Sequence, residues 1–158
     1  MKFLTLIRHA KAAHEAGISD ADRALAERGR RDGKAMGAIL AARFAPPDVI
    51  LASPARRVRE TLAALVEGGG AGGQIEYHDA LYLAEHEVLS DFAASALMEH
   101  DEVWIVAHNP GITEAIEEIA GARLENVPTL GIARIAVEEV VYESLHGDLV
   151  YFETPRSR

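Results

Sequence analysis

The sequence contains no cysteine. Disulfides, thiolate zinc sites and cysteine nucleophiles are therefore excluded. It also lacks any apolar run of the roughly eighteen residues that a membrane-spanning helix needs, so no membrane association is expected. The stretch Met1 to Ile7 carries Lys2 and a short apolar run, which Arg8 and His9 cut off well short of the apolar core of a signal peptide. The expected location is the cytoplasm. A basic excess is missing too: the formal net charge is −9. The bulk field of such a chain repels polyanions, and no nucleic-acid partner is expected. No internal repeat or linker is visible, and 158 residues suit one domain over 1–158 with a single buried core.

Basic residues are present, but unevenly placed. Arg8, Lys11, Arg23, Arg28, Arg30, Arg31, Arg56, Arg57 and Arg59 all fall in the first half, while acidic residues dominate later. That distribution suits a local anion site set in an otherwise acidic protein.

Short apolar runs alternate with helical patterns. Phe3 to Ile7, Asp48 to Ala52, Ile75 to His78, Val103 to Ala107, Ile132 to Val137 and Leu149 to Phe152 read as strands. Leu25 to Phe44, Ala55 to Val66, Glu87 to Glu99 and Gly111 to Ala120 read as helices. Gly29, Gly33 and Gly37 form a row on the first helix and predict close packing against a sheet. Gly68 to Gly73 reads as a flexible loop, because it lacks the Lys-Ser/Thr of a phosphate loop. This order predicts an α/β fold: a three-layer αβα sandwich around a mainly parallel sheet.

Ligands gather at the C-terminal ends of parallel strands. Three predicted strands end in polar signals: Arg8-His9, then Ser53-Pro54-Ala55-Arg56-Arg57, then His108-Asn109-Pro110-Gly111. A neutral imidazole is a competent nucleophile near pH 7, and neighbouring arginines favour its neutral form. Guanidinium forks match phosphate oxygens. The helix after Pro110 predicts free N–H groups and a positive dipole end beside His108. Phosphoryl transfer is the chemistry that these residue types suit.

At these residues the chain resembles the histidine phosphatase superfamily, the phosphoglycerate mutase-like fold, and within it the SixA-type phosphohistidine phosphatases. The resemblance rests on Arg8-His9, on Ser53-Pro54 followed by Arg57 and Thr61, on Ala107-His108-Asn109-Pro110, and on Arg23-Ala24-Leu25 followed by Gly29. It implies that His9 is the nucleophile, and that Arg8, Arg57 and His108 are catalytic residues holding the phosphoryl oxygens. It implies that Arg23 is a further basic residue at the mouth. It implies no metal and no organic cofactor. The implied partner is a phosphorylated protein (phosphohistidine) or a small phosphate ester, and oligomeric state is left open. Ala10 stands where the family usually has glycine, and Ala26 where it has threonine, which predicts a weak helix N-cap. Asp79, Glu85, Glu87 and Asp91 fall where a proton donor would be sought, none in a recognisable setting. A phosphohistidine substrate needs less help from an acid than an alkyl phosphate does.

His14, His78, His86, His100 and His146 read as structural or exposed, Asp20 and Asp22 as solvent-facing, and Ser53 as a turn former. A phosphatase for small phosphate esters and a non-catalytic phospho-ligand binding module are the alternative readings.

Overall fold

The structure is a computed structural model and describes residues 1–141 and 144–155. The other positions of the expected 1–158 unit lie outside the described residues. The strands are β1 (Lys2–Arg8), β2 (Val49–Ala52), β3 (Gln74–Tyr77), β4 (Glu102–Ala107), β5 (Ile132–Val141) and β6 (Ser144–Glu153). The helices are α1 (Glu27–Arg43), α2 (Arg56–Glu67), α3 (His86–Leu97) and α4 (Gly111–Ala120). No helix among the described residues is long and apolar enough to cross a membrane.

The strands form one sheet in the order β3-β2-β4-β1-β5-β6. β3, β2, β4 and β1 are mutually parallel. β5 runs antiparallel to β1, and β6 antiparallel to β5. The expected mainly parallel αβα sandwich is therefore present. Every residue of β2 is buried, as a parallel strand covered on both faces requires. The expected single core is divided by the sheet. One apolar cluster joins Leu4, Leu6, Val103 and Ile105 to α3 and α4. The other joins Ile7, Ile50, Trp104 and Val106 to α1 and α2.

Several boundaries differ from expectation. β5 and β6 are longer than expected, with register shifts at Arg134/Ile135 and Val137/Glu139. Consecutive Glu138 and Glu139 hide the alternation there, and pairing between the two strands supplies what side-chain pattern does not. α1 starts at Glu27, because Leu25 N–H donates to Glu60 Oε1 at 2.8 Å and Leu25 bridges Ala12. Its first turn has no side-chain cap from Ala26, as expected.

The glycine row packs differently from expectation. A Cβ on Gly33 would lie 2.6 Å from the Ala64 Cβ, and one on Gly37 would lie 2.3 Å from the Leu65 carbonyl oxygen. Gly33 and Gly37 fit α1 against α2, while a Cβ on Gly29 would lie 2.3 Å from the Lys11 carbonyl oxygen, so the row does not pack against the sheet. At the opposite end of the parallel strands from their carboxyl termini, Arg134 donates to both Glu102 oxygens at 2.9 and 2.7 Å. Its guanidinium lies 3.9 Å from the Phe3 ring centre and 4.5 Å from that of Phe44. This partly buried bidentate pair ties β5 to β4 across β1.

Gly37→Ala should force the two helices apart and cost about 1–3 kcal/mol in urea unfolding. Gly72→Ala, which meets nothing within 4 Å, should stay within about 0.5 kcal/mol of the parent. Equal effects would disprove the close approach.

Candidate active site

The polar ends of β1, β2 and β4 meet at one edge of the sheet, as strand order predicts. His9 N–H donates to the Ala107 carbonyl at 3.2 Å, which fixes the end of β1 beside β4. Thr61 Oγ1 accepts from Ala10 N–H at 2.9 Å and donates to the Arg57 carbonyl at 2.7 Å. One hydroxyl thus fastens α2 to the turn after His9. Ala10 is fully buried, so its methyl fills core space.

The two imidazoles stand together, with ring centres 5.3 Å apart. His9 Nδ1 lies 2.8 Å from the Ala10 carbonyl oxygen. A carbonyl only accepts, so Nδ1 carries the proton and Nε2 keeps a free lone pair. Burial is the main force holding the His9 pKa down, to about 4, and the Arg57, Arg8 and Arg23 charges act in the same direction. For His108 the value falls to about 3, again through burial first, then His9 and Arg57. Both rings are neutral near pH 7. Arg57 Nη2 donates to His108 Nδ1 at 3.2 Å, so His108 carries its proton on Nε2 and donates it to Ser53 Oγ at 2.7 Å. Ser53 Oγ also accepts from Ala55 N–H at 3.2 Å. Its role as a turn former holds, and its orienting of His108 is a role that the sequence did not signal.

Arg57 is 3% exposed and sits among these groups. Its Nη1 donates to the Asp20 carbonyl at 2.7 Å, and its Nη2 to Asp20 Oδ2 at 2.9 Å. Arg8 Nη1 donates to the Val127 carbonyl at 2.9 Å. The Nε atoms of Arg8 and Arg57 are both buried and find no partner among the described residues. Two unmatched guanidinium donors beside a free imidazole lone pair suit a tetrahedral oxyanion.

Arg23 lies at the rim. It donates to the Ala13 carbonyl at 3.1 Å, meets His14 Nε2 at 3.2 Å, and pairs with Asp20 at 3.3 Å. The expectation that Asp20 is merely solvent-facing is therefore corrected. Its carboxylate accepts from Arg57, Arg23 and the Tyr82 hydroxyl. The Tyr82 bond leads in lowering its pKa to about 2, with Arg57 and Arg23 contributing. His14 also belongs to this rim, lining an open cleft with Asp20 and Arg23. Neither Asp20, His14 nor Tyr82 carries a sequence signal: a three-residue 3-10 turn at Asp20–Asp22 and another at Asp79–Leu81 deliver Asp20 and Tyr82, and His14 lies in irregular chain.

A further expectation is modified at α4. Thr113 N–H is taken by Asn109 Oδ1 at 3.1 Å and Ile112 N–H by the His108 carbonyl at 3.0 Å. Those two helix-start donors serve the protein itself. His78, His86 and His146 meet Glu76, Glu87 and Ser144 respectively. Arg56 pairs with Glu60 at 3.0 Å and is half exposed.

The family model described as the histidine phosphatase superfamily (branch 1) matches residues 4–88. An uncharacterized protein of Mycobacterium tuberculosis is 32% identical over 162 aligned positions, 95% of this chain and 100% of that protein. Among solved structures, a candidate phosphohistidine phosphatase SixA of Agrobacterium tumefaciens is similar at 31% identity and TM-score 0.85, with 98% of each chain covered. The protein histidine phosphatase SixA complexed with tungstate shares the fold at 20% identity and TM-score 0.85, again with 98% of each chain covered.

Between the ordinary histidine value of 6.5 and about 4, the unfolded chain binds protons that both buried rings refuse. Stability therefore rises with pH across that window and is lost as the pH falls through it. The urea midpoint should be lower at about pH 5 than at about pH 7, and His108→Gln should shrink the difference. An unchanged difference would remove His108 as a source.

Proposed function

We propose that this chain, which belongs to the histidine phosphatase superfamily and is of the SixA type, hydrolyses phosphohistidine through a phosphoryl group carried on His9. That it is a phosphatase follows from the family. The substrate and the residue roles are the proposal. The observation that carries it is the His9 tautomer: Nδ1–H is committed to the Ala10 carbonyl, so Nε2 presents its lone pair beside two unmatched guanidinium donors.

In the first step, Nε2 of His9 attacks phosphorus. The new N–P bond forms as the substrate N–P bond breaks. The departing imidazole takes a proton from water. Arg8 and Arg57 stabilise the charge on the transferring oxygens, and Arg23 stands at the mouth. His108 accepts from Arg57 at Nδ1 and donates to Ser53 from Nε2, which orients the Arg57 guanidinium beside the reacting ring. In the second step, water attacks phosphorus and the bond to Nε2 breaks. The lone pair returns to His9, and inorganic phosphate leaves. Side chains and water complete both steps.

Two observations favour an N-phosphate over a phosphate ester. Asp20, the carboxylate bound to Arg57, is held ionised down to about pH 2, so it has no proton to give an alkoxide. An imidazole leaving group needs no such donor. Ile18 and Leu83, next to the rim in the chain, are 46% and 54% exposed, which suits contact with a protein surface. The proposed partner is a phosphorylated protein of the cytoplasm.

His9→Ala should abolish acid-labile phosphate on the protein and cut turnover of an aryl phosphate by on the order of a thousandfold. Turnover at the parent rate would remove His9 as nucleophile. Arg57→Ala should cost about a hundredfold, while Arg56→Ala, on the surface with Glu60, should cost little. Equal losses would shift the assignment. A phosphohistidine peptide should be preferred over sugar phosphates in kcat/KM, and the reverse order would give the ester reading precedence.

A further inference from the structure

The buried Arg57 guanidinium is held by Asp20 and by His108. Both Nη atoms bond to Asp20, one to its carbonyl and one to its carboxylate. The same carboxylate oxygen accepts from the Tyr82 hydroxyl. Tyr82 comes from a distant segment, sixty-two positions along the chain from Asp20. Its ring meets His108 edge-on, with centres 5.5 Å apart and planes at 87°. One tyrosine therefore touches both the carboxylate that holds Arg57 and the imidazole that accepts from Arg57.

The local backbone delivers Tyr82 to this place. The 3-10 turn is closed by Leu81 N–H to the His78 carbonyl at 3.0 Å and Tyr82 N–H to the Asp79 carbonyl at 3.1 Å. Leu83 then takes a φ of 52°, in the left-handed region that side chains with a Cβ rarely adopt. Ala84 reaches so close to Gly111 that a Cβ there would lie 2.1 Å from the Ala84 carbonyl oxygen. The Tyr82 segment is thus seated directly on the start of α4, next to His108.

We propose that Tyr82 is a positioning residue that acts through Asp20, the two forming a clasp that aims Arg57 at the transferring phosphoryl group. It rests on the reading that Arg57 binds that group. Asp20 takes one hydrogen from each Nη and His108 a second from Nη2, so the Nε–H and the other Nη1–H are left for the phosphoryl oxygens. Tyr82 fixes the rotamer of Asp20 from the far side. A carboxylate that is 45% exposed would otherwise exchange its partner for water and release a guanidinium that is itself buried. The opposite reading is that Asp20 competes with phosphate for Arg57. The two readings give opposite signs.

The experiment is direct binding of vanadate, a phosphoryl analogue, to the parent, Tyr82→Phe, Asp20→Ala and the double variant, with melting temperatures for each. Tyr82→Phe keeps the ring against His108 and removes only the hydroxyl. Its expected result is a melting temperature near the parent's and about tenfold weaker vanadate binding, the scale of one hydrogen bond to a charged group. Asp20→Ala should weaken binding at least as much, and the double variant no further, since Tyr82 acts through Asp20. A merely structural tyrosine would lower the melting temperature and leave vanadate affinity alone. Parent-like affinity in Tyr82→Phe, additive losses, or tighter binding by Asp20→Ala would each overturn the clasp. If the parent itself bound no vanadate, the phosphoryl-site reading would fall first, and the clasp with it.

Discussion

Two guanidinium groups and two imidazoles can share one buried pocket only if the imidazoles give up their protons. Each added positive charge in a poorly hydrated site raises the cost of the next. Burial holds the His9 and His108 pKa values to about 4 and about 3, and the arginine charges reinforce it. The Nε2 lone pair of His9 is consequently available across the neutral range without a separate base. Tautomer choice follows from the same packing. The Ala10 carbonyl fixes one ring, and Arg57 with Ser53 fixes the other. Remove the close packing of the strand ends and both rings would titrate near their ordinary values.

That packing comes from topology. β4 inserts between β2 and β1, so residues from three separate crossovers end at one edge. Largely buried strands lead to that edge, with apolar clusters on both faces of the sheet. The bidentate Arg134–Glu102 pair sits at the other end of the parallel strands and braces β4 against β5. It stabilises the scaffold without touching the chemistry. The site's tolerance for unmatched donors, in Arg8 and Arg57, depends on a frame that does not relax around them.

The sequence displayed those parts of the site that follow a strand. Arg8, His9, Ser53, Arg57 and His108 each lie within a few residues of a buried run, so the fold class alone brings them together. Thr61 is legible for a similar reason, being one turn beyond Arg57 on the same helix. Asp20 and Tyr82 were not legible. Each stands beside an irregular turn, where no periodicity says which way a side chain points. The same limit applied to the glycine row. Spacing showed that something approaches α1 closely, but a helix and a sheet both make that demand, and only contact with Ala64 and Leu65 decides. Strands β5 and β6 outran their hydrophobic pattern because pairing with each other replaced it.

Charge at the site bears on what it accepts. Three guanidiniums less the Asp20 carboxylate leave two positive charges, with both imidazoles neutral. That matches a single phosphoryl dianion. It leaves little surplus for a ligand bearing further anionic groups, and the remainder of the chain is acidic enough to give a net charge of −9. Long-range steering therefore disfavours highly charged small metabolites and leaves neutral or basic carriers of a phosphoryl group unopposed. An imidazole carrier adds no negative charge beyond the phosphoryl itself, and it departs without a protein acid. Local charge balance, the ionised Asp20 and the net negative charge of the chain are each compatible with the proposed imidazole leaving group.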